Sequence, residues 1–245
     1  GIVSLGLGLL VILNNRSSLL NKTFFSFSFF VSLWLFAYTV CYLTKSVPVA
    51  IFFARIACTA VTMLAPTSYH FTVCLINNKK EMILVYLSYI VSAVMVFLFL
   101  ETNIFLSGVH KYFWGYYSKA GILHPLFLMF FFGVFIRGFI ILLFTLLKNK
   151  DIPSIKRKQI KFALFAFIMP MFGSIDFIPK YGFEFYPFGF IFVIIFSIII
   201  TYAIIKYRFM DIRVALTRAG IFVIVYLLVL GIPLGLTRWG KYWLQ

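Results

Sequence analysis

Acidic residues are nearly missing from this chain. There are 6 Asp and Glu in 245 residues, and charged residues of either sign make up 11%. A water-soluble domain carries about 25% charged residues, so the polar surface needed to face water on all sides is lacking. Cysteine is scarce as well. Cys41, Cys58 and Cys74 are odd in number and lie inside apolar stretches, which excludes a disulfide framework and offers no CxxC metal pair. The patterns GxxxxGK[ST], HExxH, GxSxG and GxGxxG are absent, so phosphate-loop, zinc-protease, hydrolase and dinucleotide chemistry have no motif to stand on. The nearest approach runs from Gly235 to Lys241, where Tyr242 takes the place of the hydroxyl residue that would hold magnesium. A retinal Schiff base would need a lysine deep in a late helix, and the 188–207 run carries only Lys206, at its edge. No catalytic residue, cofactor or metal is expected, and the chain reads as a non-enzyme.

Apolar side chains are abundant: 63% of residues are hydrophobic, 33 are Phe, and the mean hydropathy is +1.06. A helix needs about 20 mostly apolar residues to cross the hydrocarbon core. Cutting at charged and turn-rich clusters leaves eight apolar runs, at 1–13, 24–43, 49–76, 82–100, 123–147, 162–177, 188–207 and 221–236. Alternate positions within them are not polar, as the lumen-facing positions of a membrane barrel would be. The expected fold is therefore all-α, a polytopic membrane helix bundle of about eight spans. The first run has no preceding basic residues and reads as the tail of a truncated span. Residues 1–207 are expected to form a multi-span membrane region, 208–220 a basic cytoplasmic connector, and 221–245 an additional span with an outer loop, continuing further in a longer protein.

The 22 Lys and Arg leave a net charge of +16. In a soluble protein this would suggest nucleic acid, but here no nucleic-acid partner is expected, because the cations sort by loop. Alternate connections collect 14 on one side and 6 on the other, with Arg55 and Arg137 left inside spans. The positive-inside rule places the 14 in the cytoplasm of a multi-pass cell-membrane protein.

Arg55 and Arg137 are informative because a cation within a span costs about 2.5–3.5 kcal/mol on insertion scales unless it is paired or reaches water. With Asp176 expected at a similar depth, Arg55 reads either as lining an outward cavity for a polar or anionic ligand or as a structural cap for carbonyls. The outer loop at 101–121 concentrates Tyr112, Phe113, Trp114, Tyr116 and Tyr117, which suits an interfacial anchor and also the wall of a ligand pocket. Arg55, Arg137, Trp114, Tyr116, Tyr117 and Asp176 are thus the ligand-binding candidates, for an unknown small ligand. His110 and His124 flank this loop without the further ligands a metal would need. His70 fits a hydrogen-bonded structural role. Pro66 and Pro170 each remove a helix hydrogen bond, and the 162–177 run, with Pro170, Gly173 and Asp176, reads as a broken helix, a pattern shared by transporter sites and hinges. The inner basic segments suit anionic headgroups or a cytoplasmic partner, with Arg157, Lys158, Gln159, Arg208 and Asp211 as output candidates.

The run KYFWGYYSKAGILHPLFLMFF from Lys111 to Phe131, the inner Arg157-Lys158-Gln159, the outer Tyr186-Pro187, and Tyr207-Arg208-x-x-Asp211-Ile212 followed by Thr217-Arg218-Ala219-Gly220 resemble the N-terminal seven-helix sensor region of bacterial membrane histidine kinases. This resemblance implies a sensory input module of a two-component system. It also implies homodimerisation through a cytoplasmic kinase that is not in this chain. His70, His110 and His124 lack the adjacent Glu and following proline of a phosphoacceptor site, so no catalytic residue is carried over. The rival reading is a small-molecule or lipid transporter, against which there is no internal repeat.

Overall fold

The computed structural model describes residues 1–148 and 152–207. Its helices are α1 (Ile2–Asn14), α2 (Leu19–Leu43), α3 (Val47–Ile76), α4 (Met82–Glu101), α5 (His124–Lys148), α6 (Ser154–Gly173) and α7 (Gly189–Tyr207). Short 3₁₀ segments at Lys79–Glu81 and Ser174–Tyr181 lead into α4 and extend α6. Five stretches are long and apolar enough to cross a membrane: Leu19–Leu43, Val47–Ile76, Lys79–Glu101, His124–Lys148 and Ser154–Tyr181. Two further apolar helices, Ile2–Asn14 and Gly189–Ala203, are shorter. At about 1.5 Å per residue, the 13 residues of α1 reach about 20 Å, less than the hydrocarbon core. The architecture is an all-α multi-span bundle with five membrane-length helices among the described residues. The 208–220 connector and the 221–236 run, with Arg208 and Asp211, lie outside the described residues.

Local chemistry sets the helix ends. The Ser18 hydroxyl accepts the Asn21 N–H at 3.4 Å to open α2, and α3 has Pro48 in its first turn. At the far end of α3, Asn77 adopts a left-handed φ of 55° and returns its N–H to Cys74 O. α3 is the central helix, packed against α2, α4 and α5. Ala50, Ala54, Ala57, Ala60 and Ala65 are fully buried along it, small enough for neighbouring backbones to approach closely. Pro66 does not break it. The Thr62 carbonyl that Pro66 cannot bond accepts the Ser92 hydroxyl from α4 at 3.4 Å. Around the rim, Phe97, Met129 and Phe165 are exposed, as lipid-facing side chains are.

The aromatic loop is not irregular. It folds into an antiparallel hairpin, β1 (Leu106–Tyr112) and β2 (Gly115–Ala120), with Phe113 and Trp114 at the turn. Dense Tyr, Phe and Trp favour a pleated, half-buried surface over a helix. Gly115 is required twice over. Its φ is 128°, and a Cβ there would lie 2.5 Å from Tyr42 O at the end of α2. The hairpin thereby rests on one end of the bundle, called below the hairpin end.

Candidate functional site

Among the described residues, the buried charged side chains Asp176 and Lys180 and the buried His124 all lie at the hairpin end. Tyr117 projects from β2 into the bundle, 1% exposed, and its hydroxyl donates to Asp176 O at 2.7 Å. Its ring stacks on Tyr38 of α2 at 4.6 Å, and the Tyr38 and Ser118 hydroxyls share a hydrogen bond of 2.6 Å. Burial pushes the Tyr117 phenol well above its usual range, so it stays a neutral donor. Tyr112 adds a second tie, donating to Pro179 O at 2.6 Å. Two tyrosines of one hairpin therefore clamp the Ser174–Tyr181 segment.

That segment presents two buried charges. Asp176, 8% exposed, accepts the Gly189 N–H through Oδ1 at 2.8 Å and so caps the start of α7. Lys180, one turn further on and 3% exposed, has its Nζ 3.3 Å from Cys58 Sγ and 5.3 Å from the centre of the Phe177 ring. Among the described residues the one ion pair is Arg137 with Glu81, so no described carboxylate lies within 4.0 Å of the Lys180 ammonium.

Both charges border an apolar cavity of about 40 Å³ enclosed by α2, α3, α5, α6 and α7. Beside it runs a larger groove of about 860 Å³ along α1, α2 and α7. Trp34, Tyr38, Asp176 and Val193 line both spaces and form the wall between them. The cavity walls are otherwise mainly apolar, and the groove mixes Phe190, Ile194 and Ile198 with the hydroxyls of Thr39, Ser197 and Thr201, which suits an alkyl or aromatic body with a few polar points.

The sequence candidates are distributed over this frame. Tyr117 and Asp176 come together at the cavity. Trp114 stays in the hairpin turn, stacked on Tyr112 at 4.5 Å and edge-on to Tyr186 at 5.6 Å. Tyr116 is half-buried on β2. Arg55 does not line either space. It donates to Leu100 O and to Asn103 Oδ1, the latter at 3.1 Å, and so caps the C-terminal end of α4. Arg137 belongs to the opposite end of the bundle, where its guanidinium meets Glu81 at 2.5 and 3.2 Å while the Tyr69 hydroxyl donates to the same carboxylate. Arg157, Lys158 and Gln159 sit near the start of α6, also at that opposite end. His124 is buried against the Tyr181 hydroxyl at 2.8 Å. No group of three His, Cys, Asp or Glu among the described residues could hold a metal.

Sequence reasoning missed Lys180, Trp34, Tyr38 and Glu81. Lys180 counts as an ordinary loop cation until the 3₁₀ extension of α6 carries it inward. The usable signal was its spacing of four from Asp176. A family model described as the N-terminal 7TM region of histidine kinase matches residues 1–213 of the chain. No curated protein and no solved structure matches it.

Proposed function

This chain belongs to the N-terminal 7TM region family of histidine kinases, and we propose that it reads its stimulus as a small apolar ligand held between the groove and the cavity at the hairpin end. As a member of that family it is a multi-pass membrane sensory input module, not the catalytic part. The observation carrying the proposed site is the shared wall. Asp176 borders both spaces and is bonded to the first residue of α7, so occupancy beside it bears directly on where α7 starts. A ligand that prefers one placement of the Ser174–Tyr181 segment shifts the population of α6 and α7 packings, and α7 carries the shift to the far end of the bundle.

Within this reading the hairpin end faces outward, as the basic-residue bias expects. The eight spans of this reading comprise the five membrane-length helices together with contributions from α1, α7 and the 221–236 run. Residues 1–207 are the sensor region, 208–220 the connector, and 221–245 a further span. Output passes through Arg157, Lys158, Gln159, Arg208 and Asp211 to a dimeric cytoplasmic kinase. Tyr117 and Asp176 are the ligand-side residues. Arg55, Trp114 and Tyr116 brace the frame around them, and Arg137 holds the opposite end.

The test uses Trp34, which lines both spaces. In a W114F/W239F/W243F background reconstituted into nanodiscs, brominated stearyl alcohol is expected to quench Trp34 saturably. Narrowing the shared wall with V193F should weaken that quenching several-fold. Quenching that rises linearly without saturation, equal in both proteins, would show only lipid exposure and overturn the site.

A further inference from the structure

We propose that the cavity takes the anionic head of a single-chain amphiphile, with the Lys180 ammonium as its counter-ion and the groove along α1, α2 and α7 holding the alkyl chain. This rests on the ligand site proposed above and adds to it the chemistry of the head.

The two buried charges are unequally satisfied. The Asp176 carboxylate already has a partner of the right sign: the Gly189 N–H at 2.8 Å, at the positive end of the α7 dipole. Lys180 attracts Asp176 beside the same cavity, but no described carboxylate oxygen comes within 4.0 Å of its ammonium. Its ammonium touches a thiol sulfur, which is a weak acceptor, and the face of Phe177, which offers a cation–π contact. A buried cation without an acceptor oxygen is costly, more so in a low-dielectric bundle, and the cost is relieved by an anion with oxygen acceptors. The cavity that Lys180 borders gives such a group a place.

Size separates head from tail. The cavity of about 40 Å³ has room for roughly two or three water-sized groups, which suits a carboxylate and excludes a bulky body. The adjoining groove of about 860 Å³, lined by residues such as Phe190, Ile194 and Ile198, suits an alkyl chain. Trp34, Tyr38, Asp176 and Val193 separate the two spaces by a single layer of side chains, so a flexible chain that parts this layer places its head in the first space and its tail in the second. Loss of alkyl surface to the groove supplies affinity, and the charge supplies selectivity.

The experiment compares brominated stearic acid with brominated stearyl alcohol, which share a chain and differ in the charge of the head. Quenching of Trp34 is followed in the W114F/W239F/W243F chain in phosphatidylcholine nanodiscs at mildly alkaline pH. The acid is expected to half-saturate at a mole fraction at least about tenfold below that of the alcohol. K180M should abolish the difference by weakening the acid alone, and K180R should keep it. Equal binding of acid and alcohol by the parent chain would overturn the anionic-head proposal while leaving the apolar site intact, whereas failure of both to saturate would remove the site itself. K180M binding the acid as the parent does would likewise overturn the role of Lys180. Repeating the titration in phosphatidylglycerol nanodiscs separates two sources of the same chemistry. An unshifted acid curve supports a single-chain acid as occupant, whereas a right-shifted one would overturn the single-chain head, because a two-chain phospholipid would then be competing for the site.

Discussion

Asp176 near the end of α6 holds the N–H of Gly189, the first residue of α7, at 2.8 Å. The fit is tight. A Cβ on Gly189 would lie 2.3 Å from Asp176 Oδ2, so the glycine is what allows the carboxylate to reach the backbone. One side chain thus joins the clamp made by the hairpin tyrosines to the helix that leads away from the site.

Breaking that joint is expected to loosen α7 without unfolding the bundle. Asp176→Ala removes a helix cap and leaves a buried N–H unpaired, a loss of about 1–2 kcal/mol. Gly189→Ala should produce a similar loss by pushing the carboxylate away, and the double variant should lose little more than either alone, because both remove the same bond. Hydrogen exchange at the start of α7 and thermal unfolding in nanodiscs check this. Fully additive losses would mean that the two residues act separately.

At the opposite end, Glu81 gathers Arg137 and Tyr69. The Arg137 side chain is 46% exposed, so solvent screening limits the pair to about 1 kcal/mol or less. Arg137→Leu is accordingly expected to cost little in thermal stability. The exchange variant R137E/E81R should recover part of that loss, and a double-mutant cycle measures the coupling. A coupling well above 1 kcal/mol would show that the pair is shielded by lipid or protein.

Pro66 and Ser92 make a conditional pair. Ser92→Ala strips the Thr62 carbonyl of its donor and should destabilise by about 0.5–1.5 kcal/mol. In a Pro66→Ala background the helix regains its own N–H for Thr62, so the same serine change should then cost close to nothing. Equal costs in both backgrounds, measured by thermal unfolding, would contradict this account of how α3 tolerates its proline.

Much of the bundle was legible because a membrane leaves few options. Apolar length calls for helices, and the runs at 24–43, 49–76, 82–100 and 123–147 became α2 to α5 with ends shifted by only a few residues or by one turn. The hairpin was not legible, since its tyrosines suit an interfacial loop as well as a strand, and the choice rests on Gly115 meeting Tyr42 across the bundle. The candidate site was half legible. Tyr117 and Asp176 stood out by type, but depth within a span gave no sign that Arg55 would turn to the end of α4 and Arg137 to Glu81.

The sequence by itself determined that this is a membrane-embedded helical sensor region, because composition, apolar run length and the loop motifs depend only on residues near one another in the chain. Only the tertiary structure decided which charges are paired. Arg137 met Glu81 across 56 positions, Arg55 met the end of α4, and Lys180, a loop cation by position, was carried into an apolar wall beside Cys58, 122 positions away. Pairing of charges in a low-dielectric bundle is set by distance in space, and no local pattern encodes it.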